Sequence, residues 1–247
     1  MDLRESDRIE GSRHPWETTR FDFFLRLLQA HSATASPQRV LDVGSGDGWF
    51  ASRLARRLAP GSQVTCWDVG YSAEAIAAAP ARLVRTAAAP TTHANVLLFL
   101  DVLEHVEHDQ DFLGEVLTRN AAPGALVLVS VPAWPLLRTS HDDYLRHYRR
   151  YTTDSARALI RSSPLQIVQE GGLFHSLLAV RAANKLLGLV LPKPKAAQEN
   201  AVAWNHGPLF TRLITAALRV DTRTSSFLAE NAVFVPGLSW WALCKMP

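Results

Sequence analysis

Three glycines, Gly44, Gly46 and Gly48, fall within "VLDVGSGDGWFASRLARRLAP" (40–60), between an apolar run and an amphipathic stretch. Residues without a Cβ let a loop turn sharply and bring main-chain N–H groups close to a ligand. With a strand before it and a helix after it, such a loop offers backbone donors and a helix N-terminus at the end of a parallel sheet. Asp68 ends the next apolar run, about 20 residues beyond Gly48, where folds of this kind aim an acid at ribose hydroxyls. The spacing is G-x-G-x-G; a dinucleotide fingerprint, G-x-G-x-x-G, requires glycine where Trp49 stands. Loop, helix and acid together point to an adenosine-containing ligand and disfavour a nicotinamide oxidoreductase.

The chain has nine histidines. His105 and His147 each lie just past the C-terminal end of a predicted core strand, the edge at which open α/β sheets bind ligands. Imidazole is the natural proton acceptor near neutral pH. For His147 two readings stand side by side: work on an acceptor, or a structural hydrogen bond to a nearby carboxylate. His105 reads as a wall of the cofactor site more than as the base. Arg149 and Arg150 in "RHYRRY" are expected to pair with Asp142, Asp143 or an anionic acceptor. Six basic and aromatic residues without a supporting patch do not argue for nucleic acid. His141, His147 and Asp142 lack a tight ligand pattern such as H-x-x-x-H on one helix, and the cysteines are remote, so no metal is expected. His14 and Trp16, ahead of the first helix, form either a lid or a packed N-terminal arm.

The elements that must hold these residues follow from apolar periodicity. Phe21, Phe24, Leu25 and Leu28 recur at helical spacing. Val40–Val43 is a short strand, and Phe50, Leu54 and Leu58 share a helix face with Ala51 and Ala55, with Arg53, Arg56 and Arg57 outward. Pro60 and Gly61 end that helix. Strands are predicted over 62–69, 81–85, 95–102, 125–132, 165–170 and 239–246, with helices over 72–79, 110–120 and 153–162. Strands alternating with helices argue for a parallel sheet covered on both faces. The 174–191 stretch is apolar on much of its circumference; covering the sheet or forming a dimer contact is favoured over lying on a membrane. An exposed loop is expected over 191–200.

The chain has 247 residues, 47% of them hydrophobic, enough to bury one sizeable core. A net charge of +3, from 26 basic and 23 scattered acidic residues, is no electrostatic footprint for nucleic acid. Cys66 and Cys244 read as buried reduced thiols. The first residues lack an apolar signal region, and no run of about 18 apolar residues exists to span a membrane. A cytoplasmic location is the expectation.

With these residues in view, "VLDVGSGDG" resembles the first motif of class I S-adenosylmethionine-dependent methyltransferases. "DVLEHV" (101–106) resembles the segment ending their fourth strand, and "PGALVLVSVP" (123–132) their fifth-strand motif. "HDDYLRHYRRYT" (141–152) and "VPGLSWWALCKMP" (235–247) resemble a bacterial branch whose D-x-x-x-x-H-x-R-R-Y-T segment follows strand five. The resemblance implies one domain over 1–247, comprising an arm and helix over 1–36 and a helical insertion over 173–235 on the acceptor side. Its fold would be Rossmann-like α/β: a seven-stranded, mostly parallel sheet with helices on both faces and the insertion between strands 6 and 7. S-adenosylmethionine is the implied cofactor. Gly44, Ser45 and Gly46 would face its methionine part, Asp42 would anchor the loop and its amino group, and Asp68 would take its ribose hydroxyls, with Val69 as a further cofactor-binding residue. Asp101, Val102, Leu103 and His105 would close over it near the methyl. His14, Trp16, Asp142, Arg149 and Tyr151 are the acceptor-side candidates, and His147 the candidate base. Two departures stand out: no acid follows strand three, and Arg146 replaces a small residue before His147.

The implied function is methyl transfer to oxygen of a small-molecule or glycan- or lipid-linked acceptor, by a monomer or homodimer with at most peripheral membrane contact. N- or C-methylation in a natural-product pathway and a catalytically silent cofactor-binding partner protein are the alternatives.

Overall fold

The computed structural model describes residues 13–190, Trp204 and 206–247. In chain order the elements are α1 (Pro15–Ala30), β1 (Arg39–Val43), α2 (Trp49–Ala55), β2 (Gln63–Trp67), α3 (Ala73–Ala77), β3 (Leu83–Thr86), β4 (Ala94–Leu100) and a 3₁₀ turn (Leu103–His105). They continue with α4 (Asp109–Asn120), β5 (Ala121–Pro132), a second 3₁₀ turn (Pro135–Leu137), α5 (Ser140–Tyr144), α6 (Thr153–Arg161), β6 (Gln166–Leu173), α7 (His175–Val190), α8 (Pro208–Glu230) and β7 (Ser239–Lys245).

The seven strands lie in the order β3-β2-β1-β4-β5-β7-β6. β1 to β5 pair in parallel, and β7 runs antiparallel between β5 and β6. The sheet is buried on both faces because its strands are apolar at successive positions. On β4, Val96 and Leu98 join one core with Phe21, Phe24, Leu28, Leu54, Leu218 and Trp241. Leu97 and Phe99 turn to the other core, with Leu113, Leu117, Leu159, Ile160 and Trp240. Cys66 and Cys244 are buried thiols on opposite faces, and burial pushes each up to about 12. No described helix is long and apolar enough to cross a membrane.

Several expectations are corrected. β4 stops at Leu100, because Asp101 takes a left-handed φ of 57° and donates its N–H to Ser130 O at 2.9 Å. That reversal swings 103–105 into the 3₁₀ turn. β5 begins at Ala121 and carries Pro123 and Gly124 through a register shift opposite Ala94 and Val96. α5 was not legible as a helix; a capping box between Thr139 and Asp142 starts it. α7 meets the sheet-face core only near its start among the described residues, where Leu177 packs, while Val180, Leu186 and Leu187 are more than half exposed. The sheet face is taken by α1 and α8, while Asp221 on α8 ties down the start of α7 through the His175 and Ser176 N–H groups at 3.0 and 2.7 Å. The loop expected over 191–200 lies outside the described residues.

Candidate active site

The loop leaving β1 turns through three left-handed glycines, with φ of 61°, 55° and 73° at Gly44, Gly46 and Gly48. Asp68, just past β2, holds it: one carboxylate oxygen accepts the Gly46 N–H at 2.8 Å and the other the Gly70 N–H at 2.9 Å. The two strand exits are thus joined at one rim. At Gly44 the requirement for glycine differs from the expected one. A Cβ there would meet Val102 Cγ2 at 2.7 Å, so the space it leaves is filled by the β4 exit and not by a ligand. Ser45 donates its N–H to Trp67 O at 3.1 Å and shares a 2.8 Å hydrogen bond with the Tyr71 hydroxyl, so its side chain is turned into the protein. Val69, by contrast, is 83% exposed on the rim.

Asp42 lies beneath the loop, fully buried. Burial pushes its pKa up to about 7; Asp68 and Asp47 add to the shift and Arg20 opposes it. Trp49, at the position a dinucleotide loop reserves for glycine, packs edge-on against Phe21 at 5.8 Å, with the Arg53 and Arg13 guanidiniums each 5.0 Å from its ring. In the region that lacks an acid, Arg85 of β3 lies over the Tyr71 ring at 5.3 Å and donates to the carbonyls of Asp47 and Ala75.

Asp101 forms an ion pair with Arg20, which α1 extends across the rim between the rings of Trp16 and Phe24. Trp16 therefore stands at the rim through Arg20, whereas His14 caps α1 by accepting the Trp16 N–H at 3.3 Å and packs on Trp204 at 4.6 Å. Val102 lies under Gly44, and Leu103 is buried with it in the core that holds Leu97 and Phe99.

Behind this rim His147 and His105 meet edge-on, ring centroids 4.5 Å apart. His147 Nδ1 lies 3.0 Å from Asp142 Oδ1, which also accepts from Arg150 Nε at 2.7 Å. The other Asp142 oxygen accepts the Thr139 N–H and hydroxyl at 2.8 and 3.0 Å. Burial would raise the Asp142 pKa, but these hydrogen bonds and the Arg150 charge hold it well below the usual carboxylate range. The carboxylate expected as a structural partner of His147 is thus present, and it orients the ring as a base would require.

Glu104 was not singled out in the sequence. Its side chain is fully buried, and neither oxygen has a hydrogen-bond partner among the described residues. Burial, then the Asp101 charge, push its pKa well above the usual carboxylate range. Arg149 pairs with Asp109 at 3.0 Å rather than with Asp142 or Asp143, and Arg138 takes Asp143 at 2.7 Å. Tyr151 is buried and donates its hydroxyl to Asp109 at 2.7 Å. Arg149 and Tyr151 therefore brace the segment from behind instead of facing the rim. Arg146, exposed, takes the left-handed φ of 59° that puts His147 back over Asp142.

A model of the methyltransferase-domain family matches residues 16–170. The chain is 31% identical over 144 residues to the mitochondrial ubiquinone biosynthesis O-methyltransferase of Schizosaccharomyces pombe, covering 52% of this chain and 51% of that protein. It is 32% identical over 152 residues to the tRNA1(Val) (adenine(37)-N6)-methyltransferase of Serratia proteamaculans, covering 62% and 52%. The chain thus spans about half the length of these curated relatives. A SAM-dependent methyltransferase from Archaeoglobus fulgidus shares the fold, with a TM-score of 0.51 and 12% identity, covering 91% of this chain and 94% of the other.

Proposed function

This chain belongs to the methyltransferase-domain family, and from that premise we propose that it transfers the methyl group of S-adenosylmethionine to an acceptor at the C-terminal rim of the sheet. The observation that carries the reading is the left-handed glycine loop pinned to Asp68 through the Gly46 N–H. The residues fit the cofactor. Each Asp68 oxygen accepts one backbone donor and keeps a lone pair for a ribose hydroxyl. Asp42 lies below the loop for an ammonium, the Gly44–Gly46 main chain lines the path between them, and Val69 offers uncovered apolar surface to a base.

S-adenosylmethionine, when bound, supplies a methyl carbon already activated by its sulfonium. The chain's task is then to align and to dehydrate, and positioning alone contributes about 7–11 kcal/mol. His147, held by Asp142, accepts the proton of a hydroxyl acceptor at Nε2. Trp16 and Arg20 of α1 close the rim against water.

Oxygen of a small-molecule or glycan- or lipid-linked acceptor is the favoured site. The Serratia relative is named for a tRNA base, which counts against the sequence-based expectation that excludes nucleic acid. On the acceptor side, however, Arg138, Arg149 and Arg150 are each paired with a carboxylate, which leaves them poor partners for a phosphate backbone. Calorimetry should give saturable one-site binding of S-adenosylhomocysteine and no heat with NADH; the reverse would overturn the reading. Methyl-labelled donor with candidate acceptors, followed by mass detection, separates an O-methyltransferase from an N- or C-methyltransferase and from a silent partner protein.

The Asp42 environment adds a pH dependence. In the unliganded protein burial favours the protonated acid, so this group's contribution to stability is full below the ordinary value of 3.8 and is lost as pH rises through about 7. A cofactor ammonium needs the carboxylate. Affinity should therefore tighten by up to about tenfold per pH unit as pH rises toward 7, then level off. Asp42→Asn should flatten this dependence; a binding profile unchanged by the substitution would remove Asp42 from the site.

A further inference from the structure

We propose that Glu104, His105 and His147 form a binding site for a divalent transition-metal cation of the zinc type, with an open coordination position toward the acceptor side. Each of the three offers one ligand atom, and these atoms all lie within 4.8 Å of one another. Two imidazoles and one carboxylate suit zinc, manganese or iron and not calcium or magnesium, which take oxygen ligands. Three protein ligands with a fourth position left for water or substrate is the arrangement of catalytic zinc.

Three features of the structure favour an ion here. Glu104 is fully buried with both carboxylate oxygens unpartnered among the described residues, an arrangement that calls for a proton or a cation. His147 is already set up as a ligand. Its Nδ1 is bound to the buried Asp142, which leaves Nε2 for a metal in the carboxylate–histidine–metal pattern that fixes ring orientation. Asp142 is in turn fixed by Arg150 and by both donors of Thr139. Finally, the Tyr148 N–H donates to Glu104 O at 2.7 Å, stitching the turn that carries Glu104 and His105 to the segment that carries His147. The ligands come from two stretches separated by β5 and α5, so no ligand spacing in the sequence announces them.

The site's existence does not depend on methyl transfer; its use does. A cation at this position would take the His147 Nε2 lone pair and so replace that nitrogen as the means of deprotonating an O-methyl acceptor: it would lower the pKa of a hydroxyl in its open position, whose proton would leave to solvent.

The test is zinc titration of the full-length, chelator-stripped chain against a chromophoric chelator, with cobalt absorption as a geometric readout. One equivalent should bind with the intense visible bands of a low-coordinate cobalt site. Glu104→Gln and His105→Ala should each weaken that equivalent at least about tenfold, and Asp142→Asn should weaken it by about 10–100-fold through His147. Glu104→Gln keeps the side-chain shape, and the more exposed His105→Ala serves should Glu104→Gln fail to fold. No stoichiometric equivalent, or one indifferent to these substitutions, overturns the site. S-adenosylhomocysteine binding measured on the same samples separates the outcomes: nucleoside bound without metal sinks the cation site alone.

Discussion

Gly46→Val should abolish binding of S-adenosylhomocysteine, lowering affinity by more than about a hundredfold, or about 2.7 kcal/mol, while leaving the chain folded. Gly46 has a φ of 55°, and a β-branched residue is a steric outlier in that region. Its N–H is the donor that pulls the β1 loop onto Asp68. A valine that relaxes toward negative φ withdraws that N–H and turns the loop away from the ribose acid. A valine that stays keeps a strained, branched residue on the main chain proposed to line the cofactor. Either way the rim loses its shape. The strain itself, about 1–3 kcal/mol, should lower the melting temperature by about 2–12 °C without unfolding the chain, because the two cores beneath the loop are untouched. Calorimetry and a thermal melt on one preparation check both halves; wild-type affinity in the variant would refute the loop assignment.

Arg150→Ala should destabilise the protein by about 3–5 kcal/mol, the cost of leaving a buried carboxylate without its cationic partner. Arg150 and Asp142 side chains are 6% and 1% exposed, so solvent cannot replace the guanidinium. The same guanidinium donates to Ala133 O at 3.0 Å, fixing the end of β5 to the segment carrying His147. Asp142 would keep His147 and Thr139, but those donors do not carry its full charge. Urea unfolding should show the loss as a lower midpoint with an unchanged slope. A change below about 1 kcal/mol would mean that the pair is effectively hydrated and that His147 is not rigidly held.

The glycine loop and its tie to the next strand exit were largely legible in the sequence because their signals are local. A β-branched run, glycines that permit left-handed turns and an acid at the next strand end lie close together in the chain, and each strand's double-sided burial shows as continuous apolar residues. The parallel sheet of β1 to β5 follows from the alternation of strands with helices. What escaped was set by tertiary contact. Gly44 is a glycine because of Val102, a residue far along the chain. Glu104 looked like part of an exit segment, yet the left-handed turn at Asp101 drives it inward beside His147. Arg149 and Tyr151 share a motif with His147, but both turn to Asp109, because the chain reverses at Arg146 and Tyr151 bridges to Ala133 beside β5. Apolar periodicity predicted α7 as a helix; it could not show that α1 and α8 already occupy the face it would have covered.

The most direct measurement is a crystal structure of the full-length chain with S-adenosylhomocysteine. The ribose hydroxyls are expected within hydrogen-bonding distance of Asp68, the amino group above Asp42 and the methionine portion along Gly44–Gly46. A nucleoside bound at any other place, or an Asp68 carboxylate turned from the sugar, would contradict that placement.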